Sequence, residues 1–516
     1  MDTKEKKEDL QDLECVKSQN STRPAPETPD HPDLLTTPEV GHNEELRRNF
    51  SLWSVVGSSF SLANSWFGIS TALVTGINSG GPVQLIYGTI LVSVVCAAVG
   101  VCLAELASAM PNAGGQYFWT SRLASPRYAR FASYLTGWIS WAGSLFTCAS
   151  IALGVGNLAL GCIKMAHPCL EVKPWMTFVS YQIIHITCAL FNISSHALPK
   201  VTFITLWTSI ISFLVIILVV PIKSPNHQSA RFVFTEFINR TGWSSNGIAH
   251  IVGLINPNWA FNGLDCATHM AEEVFEPERI VPIAILGTVG IGFVTAWLFS
   301  IGMMFSINDF DKVSETATGV PILELFYQAL DSQAGAIVLC SLIVLTGCGC
   351  LIASHTWQAR LCWSFARDNG LPGSKYLRRV HPSLRVPIWA HVVSCAIVSV
   401  LGCLYLASYT AFNSMVTACV VLLYASYAIP VVCLLIRGRS NLAHGPFWLG
   451  KFGLVCNVVL LVWLAFALVM YSFPPVYPVS GDNMNYVCVV YVIILGVLSS
   501  WWFIGARREY NPETAY

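Results

Sequence analysis

The sequence predicts an all-α membrane protein with about twelve transmembrane helices. Only 11% of its 516 residues are charged and 54% are hydrophobic, whereas a soluble domain usually carries about 25% charged residues. Runs of roughly 20 mostly apolar residues, each long enough to cross a bilayer, follow one another along the chain. Inside lipid every backbone polar group needs an internal partner, so helices are the favoured spanning element. We number the predicted spans 1 to 12; they begin near Ser51, Val83, Phe131, Trp175, Val201, Gly247, Pro282, Gly335, Pro387, Asn413, Phe452 and Tyr486.

The two ends of the chain differ in composition from the apolar spans. Residues 1–48 are polar, of mixed charge and rich in proline, which predicts a disordered cytosolic tail. This segment lacks the apolar stretch of a signal peptide. We predict a membrane domain of twelve spans over residues 49–505 and a second cytosolic tail over residues 506–516.

The lysines and arginines indicate the orientation of the spans. Most of the 29 cationic residues fall on the cytosolic side if the chain starts inside and alternates from span to span. The positive-inside rule therefore predicts that both termini are cytosolic. The sequon Asn239-Arg240-Thr241 then lies outside, between spans 5 and 6, and Asn239 is predicted to carry a glycan.

Spans 1 and 6 carry polar and helix-breaking residues where other spans carry leucine and valine. The middle of span 1 runs from Ser58 to Ser70, and span 6 contains Asn256-Pro257-Asn258 and Gly263. Proline removes a backbone donor and glycine loosens a helix. Interrupted first and sixth helices, at matching places in two five-span halves, are typical of transporters that hold substrate at the midplane. Ordinary kinked packing helices are the alternative interpretation.

Aromatic residues flank both interruptions. Trp66, Phe67, Trp259 and Phe261 are predicted to wall a pocket, since ammonium groups are attracted to aromatic faces by roughly 0.5–2 kcal/mol each. Each of these side chains can instead be a core or lipid-facing aromatic. The predicted substrate-binding set is Asn64, Ser65, Trp66, Phe67, Gly68, Trp259, Ala260, Phe261 and Asn262.

Asp265 is the acidic residue nearest the second interruption. A carboxylate inside the membrane is by default a candidate functional group, so Asp265 is predicted to pair with a substrate amine or to carry a coupling proton. A structural partner to a helix end remains the alternative. His250, His269 and His355 are either proton relays or packing residues.

Two cytosolic regions are candidate gates. Pro111 ends span 2 and Gly114-Gly115 permit a tight turn, although a plain structural turn fits equally well. Opposite charges after spans 6 and 8 are predicted to form an inner gate, with solvated loop charges as the alternative. The predicted gate or hinge residues are Glu105, Pro111, Gly114, Gly115, Glu272, Glu273 and Arg367.

Several functions are disfavoured by the sequence. A net charge of zero gives no basis for nucleic-acid binding. HExxH, GxSxG and Walker motifs are absent, which disfavours a membrane enzyme and an ATP-driven pump. The 18 cysteines show no paired CxxC or CxxC–HxxxH spacing, so neither a metal nor another cofactor is predicted. Cys162 and Cys169, predicted in one external loop, form either a disulfide or two free thiols. A secondary carrier and a sensor that binds without transporting remain.

At these motifs the chain resembles the amino acid–polyamine–organocation superfamily, and most of all the fungal amino acid/choline permeases. The resemblance covers spans 1 to 9, and the Pro-x-x-Gly-Gly-x-Tyr and Ala-Glu-Glu motifs are specific as a set. The stretches that carry it are Asn64 to Gly68 with Gly80-Gly81-Pro82, Glu105 to Tyr117, Thr136-Gly137-Trp138, Phe261 to Pro282 and Phe365 to Pro372.

The resemblance implies a five-plus-five inverted repeat with two added helices, and proton-coupled uptake of a small amine-bearing solute at the plasma membrane. It implies substrate contacts at residues 65–68 and 259–261, and an acid of span 6 at Asp265. Many members carry a glycine-rich break in span 1, whereas Trp66 and Phe67 precede Gly68 here. This departure counts against a simple α-amino acid and leaves room for choline, GABA, a polyamine or a cationic alkaloid. The predicted function is a proton-coupled permease for small amine-bearing solutes such as amino acids, choline or GABA. A permease for a cationic alkaloid or its precursor, or a nutrient sensor on the same fold, is the alternative.

Overall fold

The computed structural model describes residues 50–194 and 197–512. The predicted N-terminal tail, residues 1–48, and the last four residues of the predicted C-terminal tail, 513–516, lie outside the described residues. All that follows concerns the described residues.

Most of the described chain is helical and its only named strands have two residues each, which confirms the predicted all-α membrane fold. Nine helices are long and apolar enough to span a membrane, and spans 1, 4 and 6 complete the predicted set. Span 4 is the helix Pro174–Leu190. The nine are Gly81–Ala109 (span 2), Pro126–Ala166 (span 3), Leu198–Lys223 (span 5), Pro277–Ser306 (span 7), Gln333–Arg367 (span 8), Ile388–Ala407 (span 9), Thr410–Arg437 (span 10), Lys451–Met470 (span 11) and Val487–Glu509 (span 12).

Local sequence explains where these helices begin. Proline occupies the first turn of spans 2, 3, 4, 5 and 7, where its missing N–H costs nothing. Ser332 caps span 8 by accepting a hydrogen bond from the Gly335 amide at 3.2 Å. Shorter helices connect the spans: Gln116–Leu123, Ala230–Thr235, Phe310–Ser314, Pro321–Leu330 and Ser374–Leu377, with 3-10 turns at Thr268–Glu273 and Arg439–Asn441.

The core of the bundle is formed by some spans more than by others. Spans 2, 3, 8 and 10 are largely buried in the protein, whereas spans 5, 9, 11 and 12 present most of their surface to the surroundings. The peripheral position of spans 11 and 12 agrees with the expectation of two helices added to a ten-span core. Exposed leucine, valine and isoleucine side chains on these spans suit contact with lipid acyl chains.

Spans 1 and 6 are both discontinuous, as predicted. Asn64 interrupts span 1 at a φ of 21°, but the chain is helical again from the next residue, so the candidate stretch 65–68 is not unwound. Span 6 leaves the α-helical conformation at Phe261 and turns at Gly263, where φ is 79°. The parts of span 1 are Leu52–Ala63, Ser65–Thr71 and Leu73–Asn78, and those of span 6 are Asn246–Gly253 and Ile255–Ala260.

These two spans run antiparallel and meet at both ends. Strands β1 (Ser79–Gly80) and β2 (Ile238–Asn239), which follow span 1 and precede span 6, pair antiparallel. At the other end, the Phe50 amide donates to the Glu273 carbonyl at 3.2 Å. We call the face of the bundle that holds Phe50 the terminal face, and the face that holds β1 and β2 the opposite face. The inverted repeat itself remains a prediction, which the antiparallel arrangement supports.

Spans 1 and 6 also touch near their midpoints, through backbone. A Cβ added to Gly68 would lie 2.6 Å from the Cα of Ala260, which is closer than real Cβ atoms approach. Only glycine allows this contact, so Gly68 is required by packing between the two interrupted spans.

The prediction that Cys162 and Cys169 lie in one loop is wrong. Cys162 lies within the helix of span 3 and Cys169 is exposed in the connection to span 4. Both are free thiols. Span 3 extends further toward the opposite face than its apolar run suggested, which separates the two residues.

Replacing Gly68 with alanine is expected to destabilise the protein by about 1–3 kcal/mol, because the methyl group overpacks the contact with Ala260. Thermal unfolding of the purified protein in detergent measures the effect. Gly290→Ala in span 7 is the matched control, since a Cβ there meets nothing within 4 Å. Equal melting temperatures for the two variants would show that the two backbones are not in close contact.

Candidate functional site

A cavity of about 320 Å³ lies between spans 1 and 6 on the side of the opposite face, next to a second interruption of span 1 at Ala72. Spans 1, 3, 6 and 10 supply most of its walls, and the loops after spans 7 and 11 supply the rest. Of the described residues that line it, none is charged. The polar and aromatic lining side chains are Ser70, Thr71, Thr75, Ser150, Asn157, Asn256, Trp259, Asn413 and Thr417.

Hydrogen bonds fix the lining of this cavity. The indole nitrogen of Trp259 donates to Ser150 Oγ at 2.9 Å, which ties span 6 to span 3. Asn256 Nδ2 donates to the carbonyl oxygen of Ala72 at 2.6 Å, at the second interruption of span 1. The cavity wall is therefore held together by contacts between the two broken spans and span 3.

Of the four predicted aromatic wall residues, only Trp259 lines the cavity. Trp66 is fully buried, its indole nitrogen donates to Ser209 Oγ at 3.0 Å, and its ring packs between Phe213 and Phe299 at centroid distances of 6.1 and 5.7 Å. Because residues 65–71 form a helix, Trp66 is directed toward spans 5 and 7, away from the cavity.

Phe67 and Phe261 are likewise core residues. The ring of Phe67 packs against Gly347 of span 8, and that of Phe261 packs against Gly292 of span 7. Both are at most 2% exposed. The predicted cage of four aromatic rings is thus not formed around the cavity in this conformation.

The polar members of the predicted binding set bind neighbouring spans. Asn64 Nδ2 donates to Ser209 Oγ of span 5 at 3.0 Å, and Asn262 Nδ2 donates to Thr147 Oγ1 of span 3 at 2.9 Å. Ser65 Oγ is buried without a hydrogen-bond partner among the described residues. Gly68 and Ala260, the remaining members, form the backbone contact described above.

Asp265 lies on the terminal side of that contact and is fully buried. Its Oδ2 accepts hydrogen bonds from Gln116 Nε2 at 2.7 Å and from Trp357 Nε1 at 3.3 Å, and faces His269 Nε2 at 3.0 Å. Its Oδ1 accepts from the Tyr427 hydroxyl at 2.7 Å. The carboxyl group therefore joins span 6 to spans 8 and 10 and to the helix that follows Gly115.

The contacts of His269 require a proton between its ring and Asp265. Nδ1 lies 2.6 Å from the carbonyl oxygen of Ala113, which can only accept, so Nδ1 carries a hydrogen. Nε2 and Asp265 Oδ2 would then present two lone pairs to each other at 3.0 Å unless one of them is protonated. One proton held by the pair makes this contact attractive, and the hydrogen bond from Nδ1 to Ala113 links span 6 to the turn after span 2.

Three of the predicted gate residues form ion pairs between spans 6 and 8. Arg367 binds Glu272 through its two terminal guanidinium nitrogens, with Nη2 at 2.8 Å and Nη1 at 3.0 Å from the carboxylate oxygens. Glu273 forms a second two-pronged pair with Arg360, whose Nη2 lies 3.1 Å from Oε2. Glu273 and Arg360 are at most 3% exposed. Glu272 and Arg367 are half-buried, with side chains 18% and 12% exposed. The two ion pairs hold the terminal end of span 6 against span 8.

The next residue along span 8 adds a titratable group to this face. Asp368 follows the end of the helix, and burial raises the pKa of its carboxyl group to about 7, although the neighbouring guanidinium of Arg367 lowers it. Asp368 therefore takes up a proton near neutral pH.

The remaining predicted gate residues belong to the segment around the end of span 2. Glu105 binds Arg439 Nη2 at 2.8 Å and so ties span 2 to the segment after span 10. The helix ends just before Pro111, and Gly115 turns the chain at a φ of 53°. Gly114 donates to Asn112 Oδ1 at 2.8 Å. The turn places Gln116 where it donates a hydrogen bond to Asp265. Together with the ion pairs of Glu272 and Glu273, it forms what we call the closed terminal face.

Several residues of this site were not predicted. Arg360 is one of them. It lies seven residues before the predicted gate residue Arg367 on one face of the same helix, a signal that could have paired the two arginines with two adjacent glutamates. Trp357 and Tyr427 lie in apolar spans with nothing nearby to indicate their partner. His269 is predicted as a proton relay or a packing residue, and only its contact with the Ala113 carbonyl shows which of its nitrogens faces Asp265.

Two interrupted antiparallel spans, a neutral cavity on one side and buried ion pairs on the other define a membrane carrier. The chain belongs to the amino acid permease family, whose model matches residues 50–494. This confirms the predicted superfamily, and the prediction that the chain is a transporter and not an enzyme.

Similar proteins come from several fungi. A choline transporter of Saccharomyces cerevisiae is 51% identical, over 90% of this chain and 83% of that protein. A 7-keto 8-aminopelargonic acid transporter of the same yeast is 34% identical, over 88% and 91%. A swainsonine transporter of Arthroderma benhamiae is also 34% identical, over 90% and 93%.

Proposed function

We propose that this chain takes up small amine-bearing solutes, choline foremost, across the plasma membrane together with protons. The observation that carries the proposal is the neutral cavity between the two interrupted spans, with Trp259 in its wall. The 51% identity to a choline transporter supports the choice of choline.

The chemistry of the cavity suits a quaternary ammonium group. Such a group has no N–H to donate, and its positive charge is attracted to aromatic faces and to the negative ends of dipoles. Trp259 offers an aromatic ring. The carbonyl end of the short helix Ser65–Thr71 also borders the cavity, and helix C-termini favour cations.

A cationic alkaloid or its precursor is the second candidate substrate. The 34% identity to a swainsonine transporter supports it, and the uncharged walls would accept a bulky amine as well as choline. A sensor that binds the same solutes without moving them is the remaining alternative, which only a flux measurement separates from a carrier.

The coupling proton is assigned in this proposal to the pair of Asp265 and His269. The pair holds one proton while the terminal face is closed, because His269 is fixed by the Ala113 carbonyl. Loss of that proton would set two lone pairs against each other and weaken the link between span 6 and the turn at Gly115. Proton release is thereby coupled to opening of the terminal face.

The proposed orientation has the terminal face in the cytosol. The connections on that face are rich in arginine, for example Arg378, Arg379 and Arg385, as the positive-inside rule requires. Asn239 lies in β2 on the opposite face, which is then extracellular and is the side from which the cavity takes up substrate.

A yeast strain that lacks its own choline uptake, expressing this chain, is expected to accumulate labelled choline in preference to GABA, amino acids and polyamines. Trp259→Ala should raise KM for choline about 2- to 30-fold, which corresponds to loss of about 0.5–2 kcal/mol of cation–π attraction. Trp207→Ala is the control and should leave KM unchanged. Trp207 is 51% exposed on span 5 and does not line the cavity. Specific choline binding without accumulation would favour the sensor.

Asp265→Asn is expected to abolish accumulation of substrate against its gradient and the dependence of uptake on external pH, while exchange of labelled for unlabelled substrate persists. Asparagine can still donate a hydrogen bond to His269 but has no group that takes up and releases a proton with pH. Uptake with and without a protonophore measures the effect. The control is Asp331→Asn, because Asp331 is an exposed residue with a left-handed backbone conformation on the opposite face. Unchanged pH dependence in Asp265→Asn would exclude this residue as the proton carrier.

The wild-type chain produced in a eukaryotic host is expected to lose apparent mass on deglycosylation, and Asn239→Gln is expected to remove that shift. Protease protection of epitope tags at the two termini in intact cells is the complementary measurement. Tags that are digested from outside would reverse the proposed orientation.

A further inference from the structure

A cluster of metal-binding side chains lies among spans 3, 4, 8 and 9, apart from the cavity and from the closed terminal face. Cys148 of span 3, His185 of span 4 and His355 of span 8 each offer a ligand atom, and these atoms lie within 4.8 Å of one another. Cys395 of span 9 lies outside this group of three but next to it, and offers a second thiol, whose Sγ is 3.6 Å from His355 Nδ1. Neither the family match nor the proposed transport gives this cluster a role.

The spacing of the cluster suits tetrahedral coordination. With Zn–S near 2.3 Å and Zn–N near 2.0–2.1 Å, a sulfur and a nitrogen bound to one zinc ion lie about 3.6 Å apart. His355 Nδ1 is 3.7 Å from Cys148 Sγ and 3.6 Å from Cys395 Sγ. Both sulfur–nitrogen distances therefore already match the edge of a zinc tetrahedron.

An unpartnered nitrogen atom provides an independent indication of a ligand. His185 is 0% exposed, and its Nδ1 has no hydrogen-bond partner among the described residues. A buried polar atom without a partner costs about 1–3 kcal/mol. A metal ion bound within the cluster would remove this cost for the His185 nitrogen.

The second nitrogen of His185 is oriented as in metal sites. Nε2 lies 3.1 Å from the carbonyl oxygen of Cys395, which can only accept, so Nε2 carries the hydrogen and Nδ1 carries the free lone pair. Histidine ligands typically donate their other N–H to a carbonyl or carboxylate in this way. Gln358 now donates to His355 Nδ1 at 2.9 Å while its own Oε1 has no partner, so a metal ion would displace an incompletely satisfied amide.

We propose that Cys148, His185, His355 and Cys395 bind one zinc ion that joins spans 3, 4, 8 and 9. Two thiolates balance the charge of Zn²⁺, so the loaded site is neutral in a low-dielectric interior, and a tetrahedral set of two sulfurs and two nitrogens is typical of zinc. All four positions are occupied by protein, as in structural sites. The ion would stiffen these four spans and leave spans 1 and 6 free to move.

The full-length protein, purified in detergent and stripped with a chelator, is to be titrated with Co²⁺ and then with Zn²⁺. We expect one equivalent of Co²⁺ with thiolate-to-cobalt charge-transfer absorption, displacement of the cobalt by Zn²⁺, and a rise in melting temperature with Zn²⁺ because the metal binds only the folded state. Cys148→Ser and Cys395→Ser should each lose about half of the absorption or all of it, since each removes one of the two thiolate ligands. Cys340→Ser, a buried cysteine elsewhere on span 8, should keep it.

X-ray absorption at the zinc edge of the wild-type protein identifies the atoms bound to zinc, and it does so even if the cysteine variants fold poorly. Two sulfur and two nitrogen neighbours would support the proposal. Folded wild-type protein that binds no stoichiometric Co²⁺ or Zn²⁺, a Cys148→Ser variant with unchanged binding, or binding of Cu⁺ alone would overturn it.

Discussion

The backbone contact between Gly68 and Ala260 is the constraint on which the rest of the structure depends. Spans 1 and 6 are tied at the opposite face by β1 and β2 and at the terminal face by Phe50 and Glu273. The contact in the middle closes the space between them. It separates a cavity with neutral walls on one side from Asp265 and the ion pairs of Glu272 and Glu273 on the other, and the proposed function therefore places substrate and proton at different levels of the same pair of helices.

The closed terminal face is held by interactions that are expensive to break singly. Breaking a buried ion pair such as that of Glu273 and Arg360 by removing one partner costs about 3–5 kcal/mol, because the other charge is left unpaired. Asp265 is bonded to several spans at once. Such a network favours two discrete arrangements, since partial opening would leave buried charges without partners. In the proposed function, the proton shared by Asp265 and His269 controls whether this network stays closed, because the contact between the two side chains is attractive with the proton and repulsive without it.

Spans 4 and 9, in contrast, are joined by bonds that do not depend on charge. Tyr181, Gln182 and His185 of span 4 each lie within hydrogen-bonding distance of a backbone carbonyl of span 9, at 2.6, 2.9 and 3.1 Å. Helix carbonyls can accept a second hydrogen bond, so these side chains are satisfied without unwinding either helix. This fixed pair of spans, with spans 3 and 8 against it, forms a scaffold around which spans 1 and 6 can rearrange.

The order of apolar runs and the helix-breaking residues near Asn64 and Gly263 were enough to predict the helical membrane fold and the two interrupted spans, because membrane length and backbone bonding are local constraints. The distribution of cations also predicted an orientation. Which side chains meet was decided only by tertiary structure. Trp66 and Trp259 look equivalent in the sequence, yet only one lines the cavity, since the direction of a side chain depends on helix rotation and on neighbouring spans. Arg360, Gln116 and the cysteine–histidine cluster acquire their partners from helices far apart in the chain, and no local spacing records such contacts.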